Sequence, residues 1–162
     1  MLRWSSARAE HKVALTQFIC TDPAKKQYEK HRGKHHPKPW ELEVQSHLRG
    51  LRVPVSADEA LLLGFDGEGL AATAHFGLDD TNQQFMIWAV ACAQRTRGQH
   101  LGREALTVAL DLMSRTKARY ELDCGVFTHV DPRNVASRKM CVDAGFEFLG
   151  TYEGYESYVR DL

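Results

Sequence analysis

A short polar turn between an apolar run and a helical pattern contains the residues best suited to chemistry. The apolar run covers residues 85–93, and apolar residues at helical spacing follow from Leu101 to Met113. The turn between them contains two arginines and a glycine. A helix that begins after such a turn directs unpaired backbone N–H groups and the positive end of its dipole at whatever lies over the turn. Because this arrangement favours anions, the sequence predicts a phosphate-bearing ligand there.

A second group of residues lies at fixed spacing further along the chain. Asn134 is followed by Ser137, by Cys141 and by the pair Gly145-Phe146. Neither segment contains GxxxxGK[ST] or GxGxxG, so a P-loop and a dinucleotide-binding turn are both disfavoured. The two segments have to be interpreted jointly.

Taken together, the two segments resemble the GNAT superfamily of N-acetyltransferases. The first family motif, Arg/Gln-x-x-Gly-x-Gly/Ala, begins a helix after a strand, and residues 97–102 correspond to it. The second motif is an Asn, a small residue three positions on, a Tyr seven positions on and then Gly-Phe, to which residues 134–146 correspond. The resemblance covers residues 60–162. It implies a single N-acetyltransferase domain over residues 1–162, with an α/β (α+β) fold in which helices flank a mixed, mostly antiparallel sheet.

The resemblance implies acetyl-coenzyme A as the co-substrate. The pyrophosphate would lie over the backbone N–H groups of the turn and the helix start: Arg97, Gly98, Gln99, His100, Leu101, Gly102 and Arg103. The pantetheine arm would pair with the backbone of Val90 and Cys92, at the splayed end of the central strand, and would also contact Asn134. Physical reasoning from the residues alone supports only the phosphate part, because glycine permits close approach of the backbone and arginine adds charge.

Two residues depart from the family pattern. His100 occupies the place of the first glycine, where a positive φ would cost a histidine some free energy. It is either a phosphate contact or a surface residue. Cys141 stands where a Tyr often protonates the departing thiolate, and a thiol can also give up a proton. The alternatives for Cys141 are a nucleophile that forms an acetyl intermediate and a small buried core residue.

The reaction that the resemblance implies is direct attack of a neutral amine on the thioester carbonyl in a ternary complex. A backbone N–H near residues 90–92 would stabilise the oxyanion, and a base would accept the amine proton. The sequence gives no clear base, and His75 is one candidate, because its pKa suits the task. Other candidates are Asp79, Asp80, Glu41 and Glu43. Proximity alone can supply much of the rate, so catalysis does not depend on a strong base.

The periodicity of the apolar residues predicts the elements that position these groups. Helical spacing occurs in four segments: residues 9–20, 40–50, 101–116 and 134–144. Strands are predicted in six segments: residues 60–64 and 70–78, which form a hairpin around an Asp-Gly turn, residues 85–93 and 122–130, and two final strands joined around residues 152–155. Residues 85–93 and 122–130 are so apolar that both are expected to be buried on both faces.

The composition limits the possible partners. The chain has 162 residues, 21 Lys plus Arg and 21 Asp plus Glu, so no overall field attracts nucleic acid or membranes. No apolar run approaches the ~20 residues of a membrane span, and the N-terminus lacks the apolar core of a signal peptide. Four cysteines without CxxC spacing predict reduced thiols in a cytoplasmic protein and no metal site.

One strongly basic segment, residues 25–38, keeps a second class of acceptor open. It is either a solvated loop or an arm that contacts RNA. The candidate functions are therefore an N-acetyltransferase acting on a small-molecule or protein amine, a catalytically inactive acetyl-CoA-binding module, and an acetyltransferase acting on aminoacyl-tRNA. The last strands could also pair between two chains to form a homodimer.

Overall fold

The computed structural model describes residues 1–24 and 35–162, in which helices cover both faces of one sheet. The strands are β1 (Arg3–Ser6), β2 (Glu59–Asp66), β3 (Gly69–Asp79), β4 (Gln84–Cys92), β5 (Gly125–Val130), β6 (Glu147–Tyr152) and β7 (Tyr155–Asp161). The α-helices are α1 (Lys12–Gln17), α2 (Pro39–Gly50), α3 (Leu101–Tyr120) and α4 (Val135–Asp143). Short 3₁₀ turns precede α1 at Ala9–His11 and α3 at Gln94–Thr96.

The seven strands form one sheet in the order β1-β2-β3-β4-β5-β7-β6. Every neighbouring pair is antiparallel except β4 and β5, which are parallel. This confirms the predicted fold class, a mixed and mostly antiparallel sheet flanked by helices. β1 was not predicted, because its four residues contain one large apolar side chain and no alternation. Its register comes from pairing with β2 rather than from its own sequence.

The first predicted helix is shorter than its periodicity suggested. A 3₁₀ turn takes up Ala9–His11, and the α-helix ends at Gln17. The chain then becomes extended at Phe18, and the carbonyl of Ile19 accepts a 2.8 Å hydrogen bond from the N–H of Gln94. This long-range bond outweighs the local helical pattern. At the other extreme, α3 continues to Tyr120, four residues beyond the prediction.

Two hydrophobic clusters lie on the two faces of the sheet. One contains Leu106 and Met113 of α3, and the other contains Leu15 of α1 and Leu48 of α2. Strand β3 contributes to both clusters and is buried along most of its length. Because successive strand residues point to opposite faces, both helical layers take part in fixing the position of the central strands.

The apolar composition of β4 and β5 predicted burial on both faces. This prediction is wrong, because neither strand is buried on both faces along its length. In β4, buried residues alternate with partly exposed ones, and Trp88 is 37% exposed. Burial also alternates in β5. Trp88 and Val90 of β4 and His129 of β5 line an opening in the sheet, which apolar composition alone cannot reveal.

A β-bulge at Trp88 changes the faces of β4. His75 of β3 pairs with Ala89 and Phe76 pairs with Ile87, so Trp88 is the extra residue. Before the bulge, Ile87 belongs to the cluster under α3, and after it Ala89 belongs to the cluster under α1 and α2. The bulge therefore turns the last residues of β4 over with respect to the first.

The sheet opens at the same point. β4 pairs with β3 along its whole length, but it pairs with β5 only over residues 85–87. The last paired carbonyl, that of Ile87, accepts a 2.9 Å hydrogen bond from Thr128 Oγ1. Beyond it, residues 88–92 have no neighbouring strand on the β5 side within the described ranges. This edge of β4 is left available to a ligand.

The ends of α2 and α4 differ, although a glycine lies at each. Gly145 follows α4 with φ +81°, and the N–H groups of Gly145 and Phe146 donate to the carbonyls of Val142 and Cys141, both at 3.0 Å. The helix thus ends in a left-handed residue, directly after the predicted helical segment 134–144. Gly50 is the last residue of α2 and has no positive φ.

We expect Gly145→Ala to lower the free energy of unfolding by about 1 kcal/mol, since an L-residue is strained at this φ. Gly50→Ala is the matched control. A side chain there meets nothing within 4 Å, and alanine favours the helix, so stability should stay equal or rise by up to about 1 kcal/mol. Urea denaturation of both variants measures the difference. A loss of stability in both would contradict the assigned helix ends.

Candidate active site

The opening between β4 and β5 continues into two adjoining cavities. The first, the Trp88 cavity, has a volume of about 300 Å³ and is lined by residues of α2, β4, β5, α4 and β7. The second, the Gly102 cavity, has a volume of about 370 Å³ and reaches the start of α3. Six residues line both: Trp40, Val44, Val90, Asn134, Ser137 and Met140. The two cavities therefore form one continuous cleft across the sheet.

Most of the residues predicted to contact acetyl-CoA lie at the Gly102 cavity. Its lining includes Val90, Cys92, Arg97, Gly98, Gly102 and Asn134. Gln99, His100, Leu101 and Arg103 are not part of the lining, although they belong to the same turn and helix start. Cys92 lies beside this helix start. Burial raises the pKa of its thiol, and the nearby Arg97 acts in the opposite direction.

The turn before α3 owes its shape to two left-handed residues. Gly98 has φ +80°, and His100, the N-cap residue of α3, has φ +59° and ψ +17°. The His100 side chain makes no capping hydrogen bond. Its carbonyl starts the helix by accepting from the N–H groups of Arg103 at 3.1 Å and Glu104 at 3.2 Å. His100 thus has the conformation that its position in the motif leaves to glycine.

The arginines of this region are already paired with carboxylates. Arg97 donates to Glu41 Oε2 at 2.6 Å and to the carbonyl of Cys20 at 2.9 Å. The pairs are Arg95 with Asp66, Arg97 with Glu41 and Arg103 with Asp143. Their charge is therefore largely compensated in this structure. An anion at the turn would depend mainly on backbone N–H groups and on the dipole of α3.

Asn134 has a structural role that explains part of the second motif. It is the N-cap residue of α4, and its Oδ1 accepts a 3.1 Å hydrogen bond from the N–H of Ser137. Asn is among the preferred N-cap residues, and its side chain here accepts from the backbone N–H three residues on. Within the described chain, the amide nitrogen of Asn134 has no hydrogen-bond partner. Because Asn134 lines both cavities, this nitrogen is a donor available to a ligand.

Cys141 lies on α4 and is 3% exposed. It contributes to the lining of the Trp88 cavity. Burial raises the pKa of its thiol to about 11. The thiol is therefore protonated at neutral pH, which disfavours the thiolate that a covalent acetyl intermediate requires.

His75, one of the predicted bases, does not line either cavity. It is 3% exposed in β3, and its ring centroid lies 4.8 Å from that of Trp88. Its Nε2 is 2.9 Å from Glu59 Oε2, and its Nδ1 is 2.8 Å from Nε2 of His47. His47 belongs to α2 and lines the Trp88 cavity. Of this histidine pair, His47 reaches the cavity and His75 lies directly behind it.

Sequence reasoning missed His47, although a signal for it was present. Trp40, Glu43, Val44 and His47 are spaced i, i+3, i+4 and i+7 along α2, and all four line the Trp88 cavity. Burial lowers the pKa of His47, and the neighbouring His75 lowers it further. Burial also lowers the pKa of His75, against the opposing effect of Glu59. Both imidazoles are therefore neutral at pH 7.

The other predicted bases occupy different surroundings. Asp79 and Asp80 lie at the end of β3, away from both cavities. Glu41 lines the Gly102 cavity in its ion pair with Arg97. Glu43 is exposed at the Trp88 cavity and accepts a 3.4 Å hydrogen bond from the hydroxyl of Tyr155. Glu43 alone of these four combines access to the cavity with the absence of an ion pair in the described structure.

Residues 25–146 match the sequence model of the Acetyltransferase (GNAT) family. The chain belongs to this family. The match confirms the resemblance deduced from the two motifs. No curated protein matches the sequence.

Solved structures with the same fold include several GNAT acetyltransferases. The PaiA N-acetyltransferase of Thermoplasma acidophilum, in complex with coenzyme A, has a TM-score of 0.69 and 12% identity, with 100% of this chain and 99% of that chain covered. An acetyltransferase from Thermus thermophilus has a TM-score of 0.64 and 17% identity, with 100% and 97% covered. A ribosomal-protein-alanine N-acetyltransferase from Escherichia coli has a TM-score of 0.64 and 14% identity, with 98% and 91% covered. At these identities the likeness concerns the fold.

The two departures from the GNAT motifs have different consequences. His100 adopts a positive φ that a glycine would adopt without strain. Cys141 is less suited than the usual Tyr to donate a proton to the departing thiolate, because its side chain is short and buried. The proposed proton transfer from Cys141 to the thiolate stays a prediction.

Other predictions concern partners of this GNAT domain. Most of the basic segment falls on residues 25–34, which lie outside the described residues. Among the described residues, no three or more His, Cys, Asp or Glu side chains are grouped so as to hold a metal ion. In the same part of the chain, no helix has both the length and the apolar character needed to cross a bilayer. Pairing of the last strands between two copies stays a prediction.

We expect His100→Gly to raise the free energy of unfolding by about 0.5 kcal/mol, because the strain of a left-handed L-residue, about 1–2 kcal/mol, exceeds the conformational entropy that glycine loses. The neighbouring Gln99→Gly has no positive φ to relieve and should lower stability. Thermal unfolding of both variants gives the comparison. A less stable His100→Gly protein would show that the His100 side chain contributes more than its backbone costs.

Proposed function

We propose that this protein is an acetyl-CoA-dependent N-acetyltransferase that acts on a primary amine by direct attack in a ternary complex. The observation that carries the proposal is the unpaired edge of β4 after Ile87, which forms one wall of a continuous cleft. One end of this cleft is the start of α3, and the other contains polar groups suited to an amine. Family membership and the coenzyme A bound to the Thermoplasma relative support the same ligand.

The Gly102 cavity suits the phosphate and pantetheine parts of acetyl-CoA. Gly98 and Gly102 allow a pyrophosphate to approach the backbone N–H groups, and the dipole of α3 favours its charge. Val90 and Cys92 offer unpaired backbone groups to the amides of pantetheine. The free amide nitrogen of Asn134 supplies a further donor. A backbone N–H of residues 90–92 would also stabilise the oxyanion that forms when the amine attacks.

The Trp88 cavity suits the acceptor. Its wall includes the indoles of Trp40 and Trp88, the Tyr155 ring and the Glu43 carboxylate. Aromatic faces and a carboxylate attract an organic cation. Asp131 also lines the cavity, but Arg133 pairs with it and lowers the pKa of its carboxyl. We therefore assign the recognition of the acceptor ammonium group to Glu43.

The proposal is tested by following free thiol release from acetyl-CoA with a panel of primary amines. We expect turnover with at least one amine and one acetylated product per thiol released. Acetyl-CoA binding without transfer to any amine would instead indicate an inactive binding module. Transfer only to aminoacyl-tRNA would favour the alternative acceptor class.

We expect Gly102→Val to weaken acetyl-CoA binding at least about tenfold, which corresponds to 1.4 kcal/mol. The first carbon of a side chain at this position fits, since its nearest neighbour is the Met140 sulfur at 3.7 Å. The branched methyl groups would then fill the cavity. The exposed Ala118→Val on the same helix is the matched control. Calorimetric titration measures both, and equal affinities would contradict the location of the site.

We expect Glu43→Gln to raise KM for a cationic acceptor by about fivefold, since it removes a partly solvated charge interaction worth about 1 kcal/mol. KM for acetyl-CoA should not change, because Glu43 lines only the Trp88 cavity. Glu147→Gln, on the exposed edge strand β6, is the control. Steady-state kinetics against both substrates makes the distinction. A change in KM for acetyl-CoA alone would contradict the assignment.

A further inference from the structure

Three polar side chains form a continuous hydrogen-bonded line from the edge of the protein to the Trp88 cavity. Glu59 Oε2 lies 2.9 Å from Nε2 of His75, and Nδ1 of His75 lies 2.8 Å from Nε2 of His47. The two imidazole centroids are 5.0 Å apart, and the indole of Trp88 packs against His75 on its way to the cavity wall. The line therefore joins β2, β3 and α2.

The chemistry of the three groups determines the direction of every hydrogen bond. An ionised carboxylate can only accept, so Nε2 of His75 donates to Glu59. In a neutral imidazole the other nitrogen then accepts, so Nδ1 of His75 takes the hydrogen bond and Nε2 of His47 donates it. This leaves Nδ1 of His47 with a lone pair. No described residue makes a hydrogen bond to that nitrogen.

We propose that His47 is the general base for the acceptor amine, and that His75 and Glu59 are positioning residues that hold its tautomer and share the proton it receives. The inference rests on the proposed function and deepens it, because it assigns the proton acceptor of that reaction. It also revises the expectation from the sequence. His75 acts through His47 and does not contact the acceptor.

The proton and electron balance of the reaction is complete with these groups. Nδ1 of His47 takes one proton from the bound ammonium group and leaves a neutral amine. The nitrogen lone pair forms the C–N bond, and the C–S bond breaks with its electron pair moving to sulfur. The second proton of the nitrogen ends on the thiolate through solvent. His47 returns its own proton to solvent, so the enzyme is restored.

This hydrogen-bonded line of Glu59, His75 and His47, here called the relay, gives His47 a suitable charge state before and after proton transfer. Before transfer both imidazoles are neutral, because burial lowers the pKa of each. After transfer, the proton on Nε2 of His47 can move to Nδ1 of His75, whose Nε2 is paired with the Glu59 carboxylate. Other titratable or charged groups around this cavity are Glu43 on the same helix, His129 and Asp131 at the end of β5, Arg133, and Tyr155 on β7.

The first test compares His47→Ala with His11→Ala. His11 lies in the 3₁₀ turn before α1 and lines neither cavity. General-base removal should lower kcat/KM for the amine by about 10² or more. KM for acetyl-CoA should stay within twofold of the parent, and imidazole added to the His47→Ala protein should restore part of kcat. The His11→Ala protein should retain parent activity and show no response to imidazole.

The second test uses Glu59→Gln, since Glu59 is partly exposed and the variant keeps the shape of the side chain. A Gln can donate to His75, which reverses the tautomers along the line. We expect kcat to fall by more than about tenfold without a change in KM for acetyl-CoA. Glu59 raises the pKa of both imidazoles. The acid limb of the kcat/KM profile, already below about 6.5 in the parent, should therefore move to lower pH in the variant.

A third measurement does not depend on turnover. Nitrogen NMR of the ¹⁵N-labelled parent protein should show His47 as the Nε2–H tautomer, with a titration midpoint below the ordinary histidine value, and Glu59→Gln should change both. An active parent with an unimpaired His47→Ala variant would overturn the relay and leave the proposed function intact. An Nδ1–H tautomer of His47 would also overturn it. An inactive parent would overturn the proposed function, and the base assignment with it.

Discussion

The bulge at Trp88 is the local constraint on which the rest of the site depends. Without the extra residue, Ile87 and Ala89 would point to the same face of β4. With it, Ile87 packs under α3, whereas Ala89 packs under α1 and α2, and Val90 becomes a cleft residue. Hydrogen bonding to β5 also stops at Ile87. The added residue thus lies where the unpaired edge of β4 begins, and it sets which side chains after Ile87 lie at the cleft.

The bulge also connects the two halves of the chemistry. Trp88 forms part of the cavity wall and packs against His75. The neighbouring strand β3 has no side chain at Gly77, where the indole lies. A methyl group on Gly77 would come within 2.9 Å of the Trp88 ring and 2.5 Å of the carbonyl oxygen of Asp58. Gly77 therefore permits both the bulge and the close approach of the indole to β3. The bulge at Trp88 therefore lies where the cleft opens and also places the indole against His75, beside His47.

The sequence predicted the local elements well and the long-range register poorly, for physical reasons. Gly145 indicated a helix end because a left-handed residue is a local requirement, and the Asp-Gly turn before β3 is likewise local. A bulge is different. No residue next to Trp88 in the sequence shows that Trp88 is the extra residue of a bulge, because the register of β4 is set by its pairing with β3. His47 was missed for a related reason: its partner His75 is 28 residues away, and only the completed sheet brings β3 under α2.

Helix α2 links the two ends of the cleft. Its first turn carries Glu41, which pairs with Arg97 of the turn before α3 and accepts a 3.0 Å hydrogen bond from Thr21 Oγ1. Its second and third turns carry Glu43 and His47 to the Trp88 cavity. Because all three side chains belong to one helix, their spacing along the cleft is set by the helix rise of about 1.5 Å per residue. The ion pair of Arg97 with Glu41 therefore holds the start of α2 beside the turn before α3, and with it the distance from that turn to His47.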